Sequence, residues 1–385
     1  MKKIPQDEIF TLKTEFEKDN REFKINGGIG IYLDNNGKPY VHPVVQKIIK
    51  KLNFDNFNYL PISGDPIFLD ESTKLLLGNS LYIKKNRFIS KQGVIGGTNG
   101  IYLYSSLIKN LNKKTQIIIG LPTWENHNKI FSNLNVKTKT YNHLTNKNEF
   151  NYEEIVKLLN KEQKSVVLFH GGSTHNPTGI NPNPKQWEKL SKIIKNKGHE
   201  VFFDFAYMGL GYDIEKDCYP IRLFIKNNII TSIVISYSKN MTLYQHRTAA
   251  LLIFNNSLKE KIYVDNYLKY IFRLVNSNPA AFGQIIVSEI LKNNAYQKTW
   301  RKNLENMKKN INMRRDLFIK ITNNKFAYLK NSKGFYGKLN LSKNQINILK
   351  EKYAIYLLSN SRINFGGITL KQIPLIAAAI LETSI

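Results

Sequence analysis

The amino-acid sequence predicts an α/β protein in which helices cover both faces of a mainly parallel β-sheet. The first observation is a series of short apolar runs, each the length of a strand, in the middle of the chain. The second is a helical pattern between two of these runs, and the third is a long helical pattern after the last of them. Strands that alternate with helices are typical of parallel sheets, because each crossover is long enough to hold a helix.

The apolar runs are rich in β-branched and aromatic residues, which favour strands. They lie at residues 115–123, 165–171, 200–207, 232–238 and 249–254. Ligands of parallel sheets bind beyond the carboxyl ends of the strands. We therefore expect functional residues directly after these runs.

The helix between the second and third runs is predicted at residues 184–198. Trp187, Leu190, Ile193 and Ile194 recur there at helical spacing and share one face. Gly198 is a typical helix stop.

Beyond residue 284 the pattern is continuously helical and predicts one long helix. Apolar residues recur there at intervals of three, four and seven: Trp300, Leu304, Met307, Ile311 and Phe318. From about residue 325 short strand-like pieces and an apolar C-terminal helix follow. We therefore expect a large domain of residues 38–299. Residues 1–37, which include an N-terminal arm, and 300–385 are expected to form a small α+β domain.

Composition excludes several classes of protein. The chain has 385 residues, of which 42% are hydrophobic, so it is neither disordered nor fibrous. Cys218 is the only cysteine, which excludes an intrachain disulfide and a multi-cysteine zinc site. No apolar run approaches the ~18 residues of a membrane span. The start, MKKIPQDEIF, lacks the apolar run of a signal peptide, so we expect a cytoplasmic protein.

The net charge is strongly positive. Lys and Arg number 57 against 29 Asp and Glu, which gives +28. The lysines are dispersed, and no run of five or six basic residues forms an arm or a tail. We expect no specific nucleic-acid partner. A basic nucleic-acid-binding protein without catalysis is nevertheless the alternative from another functional class, and it depends on charge alone.

A lysine and an arginine follow the fourth apolar run. Lys239 lies at a carboxyl strand end beside Ser236 and Ser238, where it could form a Schiff base with a carbonyl cofactor. Read alone, a lysine after a strand is most often a solvated loop residue. Arg247 offers a planar fork of donors that suits a phosphate, or it is an ordinary surface arginine.

Asp204 stands near the end of the very apolar run 200–207. A carboxylate held there must be paired or hydrogen-bonded, because an isolated buried charge is costly. Its partner could be a protonated ring nitrogen of a cofactor, and a helix N-cap is the alternative. Tyr207 could donate a hydrogen bond to a ring oxygen. Asn176, in the turn HNPTG after another run, could also reach a ligand.

Four further features could bind parts of a ligand. The glycine-rich segment 93–100 precedes a helical pattern and offers backbone N–H groups and Thr98 to an anion, although such glycines are often only a turn. Trp124, after the first run, could stack on a flat ring or belong to the core. Arg273 and Arg362 could each bind a carboxylate, but neither is distinctive alone.

Together these residues meet the requirements of pyridoxal phosphate chemistry on amino acids. The ordered motifs resemble those of the aspartate/aromatic aminotransferases, of pyridoxal phosphate fold type I, over nearly the whole chain. The motifs are INGGIGIYLDNNGKPYVHPVV, YLPISGD, TWENHNKIF, HNPTGINPNPKQW, FFDFAYMGLG, SYSKN, RLVNSNPAAFG and SRIN. The resemblance implies a mainly parallel seven-stranded sheet in a large cofactor-binding domain, plus a small α+β domain.

The resemblance also implies a role for each matching residue. Lys239 holds pyridoxal 5′-phosphate and moves the proton. Asp204 pairs with the pyridine nitrogen, and Trp124 stacks on the ring. Tyr207 and Asn176 bond the ring's O3′. The residues implied to hold the phosphate are Gly97, Thr98, Ser236, Arg247 and, from the partner subunit, Tyr59. The residues implied to bind substrate are Gly30, Trp124, Asn176, Arg362 and, from the partner subunit, Arg273.

Several positions depart from the family pattern. Gly96–Asn99 reads Gly-Gly-Thr-Asn where Ser-Gly-Thr-Gly is usual, so one phosphate hydroxyl is missing. Thr242 and Ala249 replace usual glycines, and His246 replaces a usual glutamate. These departures indicate a divergent member and leave cofactor affinity and substrate preference open.

The resemblance implies a homodimer that shares its active sites and transfers amino groups by a ping-pong route. We expect L-aspartate and 2-oxoglutarate as substrates, because Asn58 and Asn278 match the aspartate-preferring side of the family. Ile31 and Leu33 are more apolar than an aspartate enzyme needs and favour the alternative, an aromatic amino acid aminotransferase. A homologue with weak or altered activity, such as elimination or decarboxylation, is a further alternative.

Overall fold

The structure is a computed structural model, and it describes residues 7–52 and 58–383. Its strands are β1 (Ile25–Asn26), β2 (Ile89–Ile95), β3 (Gln116–Leu121), β4 (Lys137–Asn142), β5 (Val166–His170), β6 (Glu200–Phe205), β7 (Thr231–Ser236), β8 (Thr248–Phe254), β9 (Tyr336–Lys338), β10 (Ile355–Tyr356) and β11 (Arg362–Asn364). Its helices up to the last strand of the main sheet are α1 (Glu8–Lys18), α2 (Pro43–Lys51), α3 (Pro66–Leu77), α4 (Asn79–Lys85), α5 (Gly96–Leu111), α6 (Glu125–Asn133), α7 (Tyr152–Lys161), α8 (Pro184–Lys197) and α9 (Ile214–Lys226). The later helices are α10 (Leu258–Asn276), α11 (Phe282–Lys292), α12 (Asn294–Ile321), α13 (Lys343–Tyr353) and α14 (Ile373–Glu382).

Among the described residues, seven strands form the main sheet in the order β2-β8-β7-β6-β5-β3-β4. Every neighbouring pair is parallel except the two that involve β8, which runs antiparallel to β2 and to β7. Each of the five predicted strands is present, with ends that differ by at most two residues. The predicted α/β fold with a mainly parallel seven-stranded sheet is confirmed.

The central strands are buried along their whole length, as expected for strands covered on both faces. Two described strands of the main sheet were not predicted. β4 is an edge strand whose side chains are almost all exposed. In β2, Lys91 and Gln92 lie between the apolar residues. Neither presents a continuous apolar run.

The predicted helix at 184–198 matches α8 closely. Pro184 begins the helix, and Asn183 and Gln186 form a reciprocal capping box that satisfies two backbone donors. Gly198 ends it in the left-handed conformation, φ 69°.

The prediction of one long helix after residue 284 is wrong. α11 and α12 are separate helices, and extended backbone at Asn293, φ −107° and ψ 113°, divides them. The Asn293 side chain accepts hydrogen bonds from the N–H groups of Ala295 and Tyr296, so it caps the second helix. This competing cap ends a helical pattern that spacing alone would continue.

The chain divides into two compact units. Unit 2 consists of residues 41–173 and 181–305 and contains the main sheet. Unit 1 consists of residues 1–40, 174–180 and 306–385, of which the described part pairs β1 with β10 and β9 with β11. In the described part of the chain, none of the helices is long and apolar enough to cross a membrane.

Candidate active site

The order of three adjacent strands brings charged side chains to one edge of the main sheet. β5 ends at His170, β6 carries Asp204 opposite it in register, and Lys239 follows β7. Because these strands are parallel, their carboxyl ends meet at the same edge.

The Asp204 carboxylate is the centre of this group. Asp204 is 3% exposed, and its Oδ2 lies 3.0 Å from Nε2 of His127 and 3.5 Å from Nε2 of His170. The other ring nitrogen of His127, Nδ1, lies 2.8 Å from the Thr123 hydroxyl, which orients the imidazole.

Charge, rather than exposure, keeps this carboxylate ionised. Burial raises the pKa of Asp204, but the positive charge of His170, the hydrogen bond and charge of His127 and the charge of Lys239 outweigh it. The net pKa of Asp204 is lower than the ordinary value. A buried, ionised carboxylate at the end of a strand can hold a positively charged group of a ligand.

Sequence reasoning missed both histidines. His127 lies four residues after Thr123 in the motif PTWENH, and His170 ends an apolar strand, so each had a positional signal. The donor atoms of the two histidines and Asp204 lie within 4.8 Å of one another, a spacing that a metal ion could bridge. Nε2 of His127 and Oδ2 of Asp204 are already bonded to each other. The arrangement therefore favours a charge-stabilising group over a metal centre.

Lys239 is half-buried beside two aromatic rings. Its Nζ lies 6.0 Å from the ring centroid of Tyr207 and 5.4 Å from that of Tyr244. The indole Nε1 of Trp300 donates a hydrogen bond of 2.7 Å to the backbone carbonyl of Asn240. The backbone beside the lysine is therefore held by a buried side chain from another helix.

An anion-binding arrangement lies at the N-terminus of α5. Gly96 has φ 74°, and a Cβ there would lie 2.3 Å from Nη2 of Arg247, so only glycine lets the guanidinium approach the first turn. Gly97 neighbours Ser236 and Asp204, since a Cβ added to it would lie 3.8 Å from Ser236 Cβ and 3.9 Å from Asp204 Oδ1. Helix N–H groups, a guanidinium and a serine hydroxyl together suit a phosphate.

Two aromatic residues of the predicted site, Trp124 and Tyr207, lie in unit 2 together with Asp204. Trp124 is half-buried directly before α6, and its ring meets the His127 ring edge-on at 5.3 Å between centroids. Tyr207 is buried, with its ring 6.4 Å from that of His170. Thr98 lies half-buried in the first turn of α5. These three positions therefore join the group around Asp204 or the start of the neighbouring helix.

Three predicted residues come together in unit 1. Arg362, at the start of β11, donates hydrogen bonds to Asn176 Oδ1 at 2.9 Å and to the Gly28 carbonyl at 2.7 Å. Its guanidinium lies 4.3 Å from the ring centroid of Tyr336, whose hydroxyl would lie 3.2 Å from a Cβ at Gly30. Within the described residues, the buried Nε of Arg362 has no hydrogen-bond partner. A buried guanidinium with a donor to spare suits a carboxylate.

Tyr59 and Arg273 lie outside the Asp204 group, on the surface of unit 2. Tyr59 is 87% exposed. Arg273 is also exposed, and its Nη1 donates to Ser277 Oγ at 2.8 Å and to Asn278 Oδ1 at 3.1 Å. The structure does not bring these two residues to their own chain's lysine.

The departures from the family pattern have local structural partners. Asn99 accepts a hydrogen bond from the Ile95 N–H at 3.1 Å and so caps the first turn of α5. Thr242 has φ 55°, a costly conformation for a β-branched residue, and its hydroxyl accepts from the His42 N–H at 3.3 Å. His246 stacks on Phe282, with centroids 5.0 Å apart. Ala249 is buried in β8.

Comparisons with known proteins agree with the motifs. A family model described as aminotransferase class I and II matches residues 23–380. The mitochondrial aspartate aminotransferase of Dictyostelium discoideum is 32% identical to this chain over 98% of its length and 91% of the relative's.

Two solved structures superpose on nearly the whole chain. The aromatic-amino-acid aminotransferase of Burkholderia pseudomallei, covalently bound to pyridoxal phosphate, has a TM-score of 0.94 and 29% identity, and covers 100% of this chain and 98% of its own. The psychrophilic aromatic amino acids aminotransferase from Psychrobacter sp. B6, cocrystallised with aspartic acid, has a TM-score of 0.95, 25% identity and the same coverage. The predicted fold type and family are confirmed: this chain belongs to the family of class I and II aminotransferases.

Proposed function

We propose that the protein is a pyridoxal phosphate-dependent aminotransferase that moves the amino group between L-aspartate and 2-oxoglutarate. The observation that carries the proposal is the buried Asp204, which is ionised beside two histidines and within the electrostatic reach of Lys239. Membership of the family makes this interpretation preferable to a nucleic-acid-binding protein, which depended on net charge alone.

The donor set fits the cofactor. Asp204 offers the negative charge that a protonated pyridine nitrogen requires, and the N-terminus of α5 with Arg247 offers the positive end that a phosphate requires. We assign the remaining contacts to Gly97, Thr98, Trp124, Asn176, Tyr207 and Ser236, with Tyr59 from the partner subunit. When bound, pyridoxal phosphate supplies an electron-accepting ring that stabilises negative charge at the substrate's α-carbon.

The chain's own residues hold the substrate and move its proton. Arg362 binds the α-carboxylate through its planar fork, with Gly30 and Asn176 beside it. Lys239 Nζ accepts the α-proton and returns it, and its place beside Tyr207 and Tyr244 limits the water around the amine. Asp204 keeps its negative charge throughout, because the charge of His170 and the hydrogen bond and charge of His127 stabilise the ionised carboxylate in the buried site.

Arg273 is the residue that we assign to the second carboxylate of a dicarboxylic substrate. Its hydrogen bonds to Ser277 and Asn278 leave part of the guanidinium fork exposed. The competing proposal is an aromatic amino acid aminotransferase, which the apolar Ile31 and Leu33 and two of the structural neighbours favour. Both neighbours are named for aromatic amino acids, but the one from Psychrobacter sp. B6 was cocrystallised with aspartic acid.

We propose a homodimer in which each chain completes its partner's site with Tyr59 and Arg273. The surface of α10 supports this, because Ile262, Tyr270 and Leu274 on that helix are more than 60% exposed. Large apolar side chains exposed together are typical of an interface. We further propose that residues 38–299 form the cofactor-binding domain and that the protein is cytoplasmic.

Replacing the catalytic lysine is the first test. Lys239→Ala should keep the fold and reduce transamination of aspartate by several orders of magnitude, because the variant lacks both the attachment point and the proton-transfer amine. The measurement is turnover with 2-oxoglutarate, together with near-visible absorption of the protein after pyridoxal phosphate is added. The exposed Lys216 is the matched control, and Lys216→Ala should behave like the natural protein. Near-normal turnover in Lys239→Ala would refute the proposed role.

A mixing experiment tests the shared sites. Tyr59→Ala/Arg273→Ala chains and Lys239→Ala chains are each inactive alone, but hybrid dimers carry one intact site. After subunit exchange, activity should recover to about a quarter of the natural value, because half of the dimers are hybrids with one working site of two. Sedimentation of the active protein is the accompanying measurement. An active monomer, or no recovery in verified hybrids, contradicts the proposed dimer.

Substrate preference is tested at Arg273. Arg273→Ala should reduce kcat/KM for aspartate about 30- to 5,000-fold, because a desolvated charge pair loses one partner. This corresponds to a loss of ~2–5 kcal/mol of transition-state stabilisation. Phenylalanine and tyrosine should be much less affected. Arg273→Lys keeps the charge without the planar fork, so its kcat/KM for aspartate should lie between those of the natural protein and Arg273→Ala. If the natural protein has a higher kcat/KM for tyrosine than for aspartate, the aromatic alternative is correct.

A further inference from the structure

The end of α10 holds a series of hydrogen bonds that the proposed catalysis does not use. We call residues Arg273–Asn278 the α10 tip. Within it, Arg273 donates to Ser277 and Asn278, and the Asn278 side chain donates to the Leu60 carbonyl at 3.2 Å. The tip therefore connects Arg273 with the backbone beside Tyr59. These are the two residues that we assign to the partner's site.

A second connection joins the α10 tip to the start of α5. Asn99 Nδ2 donates to Asn276 Oδ1 at 2.9 Å, while Asn99 Oδ1 accepts from the Ile95 N–H. Asn99 thus uses its oxygen to cap the first helical turn and its amide nitrogen to hold the tip. A glycine, usual in this family at position 99, can make neither bond.

The backbone of the tip depends on its neighbours. Ser277 has φ 66° and ψ −70°, a conformation that non-glycine residues adopt only where surrounding contacts impose it. Two backbone bonds maintain it: Ser277 N–H to the Arg273 carbonyl at 3.2 Å and Asn278 N–H to the Asn276 carbonyl at 2.9 Å. Through Asn276, a more rigid start of α5 can therefore restrict the motion of Ser277 and Asn278, which orient Arg273.

We propose that Asn99 and Asn276 are positioning residues that couple the phosphate-binding turn of α5 to the α10 tip. A phosphate group bound at this turn fixes the N–H groups of Gly97 and Thr98, and with them the Asn99 side chain, so the tip becomes ordered. The inference rests on the proposed function, since Arg273 serves the partner's site. Filling one site with cofactor then strengthens dicarboxylate binding in the other.

Hydrogen exchange tests the coupling without using activity. Pyridoxal phosphate or, separately, inorganic phosphate is added to the cofactor-free full-length protein, and exchange is followed in peptides that cover residues 270–280. In the natural protein, exchange in the α10 tip should slow by about 3- to 10-fold, the equivalent of one neutral hydrogen bond. Asn276→Ala should abolish the slowing while leaving Ile95 capped, and Asn99→Gly should abolish it as well.

Two control variants separate the coupling from general loosening of α5 and α10. Asn110 donates a comparable bond of 2.8 Å from α5 to Tyr263 on α10, far from the phosphate-binding turn. Asn110→Ala should keep the ligand-induced slowing. Asn276→Asp retains an acceptor for the Asn99 amide, so the ligand-induced slowing of exchange should be present in this variant, unlike in Asn276→Ala. Slowing that persists in Asn276→Ala and Asn99→Gly, or that is absent from the natural protein at saturating ligand, overturns the proposal.

Kinetics supply the second readout. Asn276→Ala should raise KM for aspartate about 3- to 10-fold with kcat nearly unchanged, and leave KM for phenylalanine unchanged, because only the dicarboxylate uses Arg273. The Asn99→Gly/Asn276→Ala double variant should be no worse than Asn99→Gly alone, because Asn99→Gly already removes the bond that Asn276→Ala removes. Additive effects overturn the coupling. If the protein does not use aspartate, the proposed function fails, and hydrogen exchange with inorganic phosphate still decides the coupling.

Discussion

The active site depends on one interaction, the pairing of the buried Asp204 carboxylate with His127 and His170. A buried carboxylate stays ionised only where positive charge outweighs the cost of desolvation, and here the pKa of Asp204 is below the ordinary value despite nearly complete burial. The parallel order of β5, β6 and β7 places the histidine, the carboxylate and Lys239 at one edge of the sheet. The fold thus fixes the charge that the chemistry requires.

Most of the fold followed from patterns in the sequence. The five apolar runs and α8 were predictable because buried parallel strands and a well-capped helix have strong local signals. β4 and β2 were not, since an exposed edge strand needs no apolar run and β2 buries polar side chains such as Gln92, which bonds the Ile62 carbonyl. The break at Asn293 was missed because a side-chain cap overrides periodicity.

The candidate site was only partly readable in the same way. Lys239 and Asn176 stand out because each follows a strand, and Asp204 because a carboxylate lies near the end of a very apolar strand. His127 and His170 have the same kind of position, but a single histidine after or at the end of a strand does not show that it contacts a carboxylate until the fold brings the two together. The bond between Asn99 and Asn276 joins residues 177 positions apart, and no local pattern predicts it. Tyr59 and Arg273 gained their assignment from the family resemblance, because their own chain offers them no site.

The affinity of the protein for pyridoxal phosphate tests the central role of Asp204 most directly. The dissociation constant can be measured by near-visible titration of the cofactor-free natural protein, Asp204→Asn and Asp204→Glu, each checked for an unchanged melting temperature. We predict that the neutral amide weakens binding about 10- to 150-fold, the equivalent of one charge-assisted hydrogen bond, and that glutamate recovers part of the loss. Equal affinity of the natural protein and Asp204→Asn would show that the buried charge does not hold the cofactor.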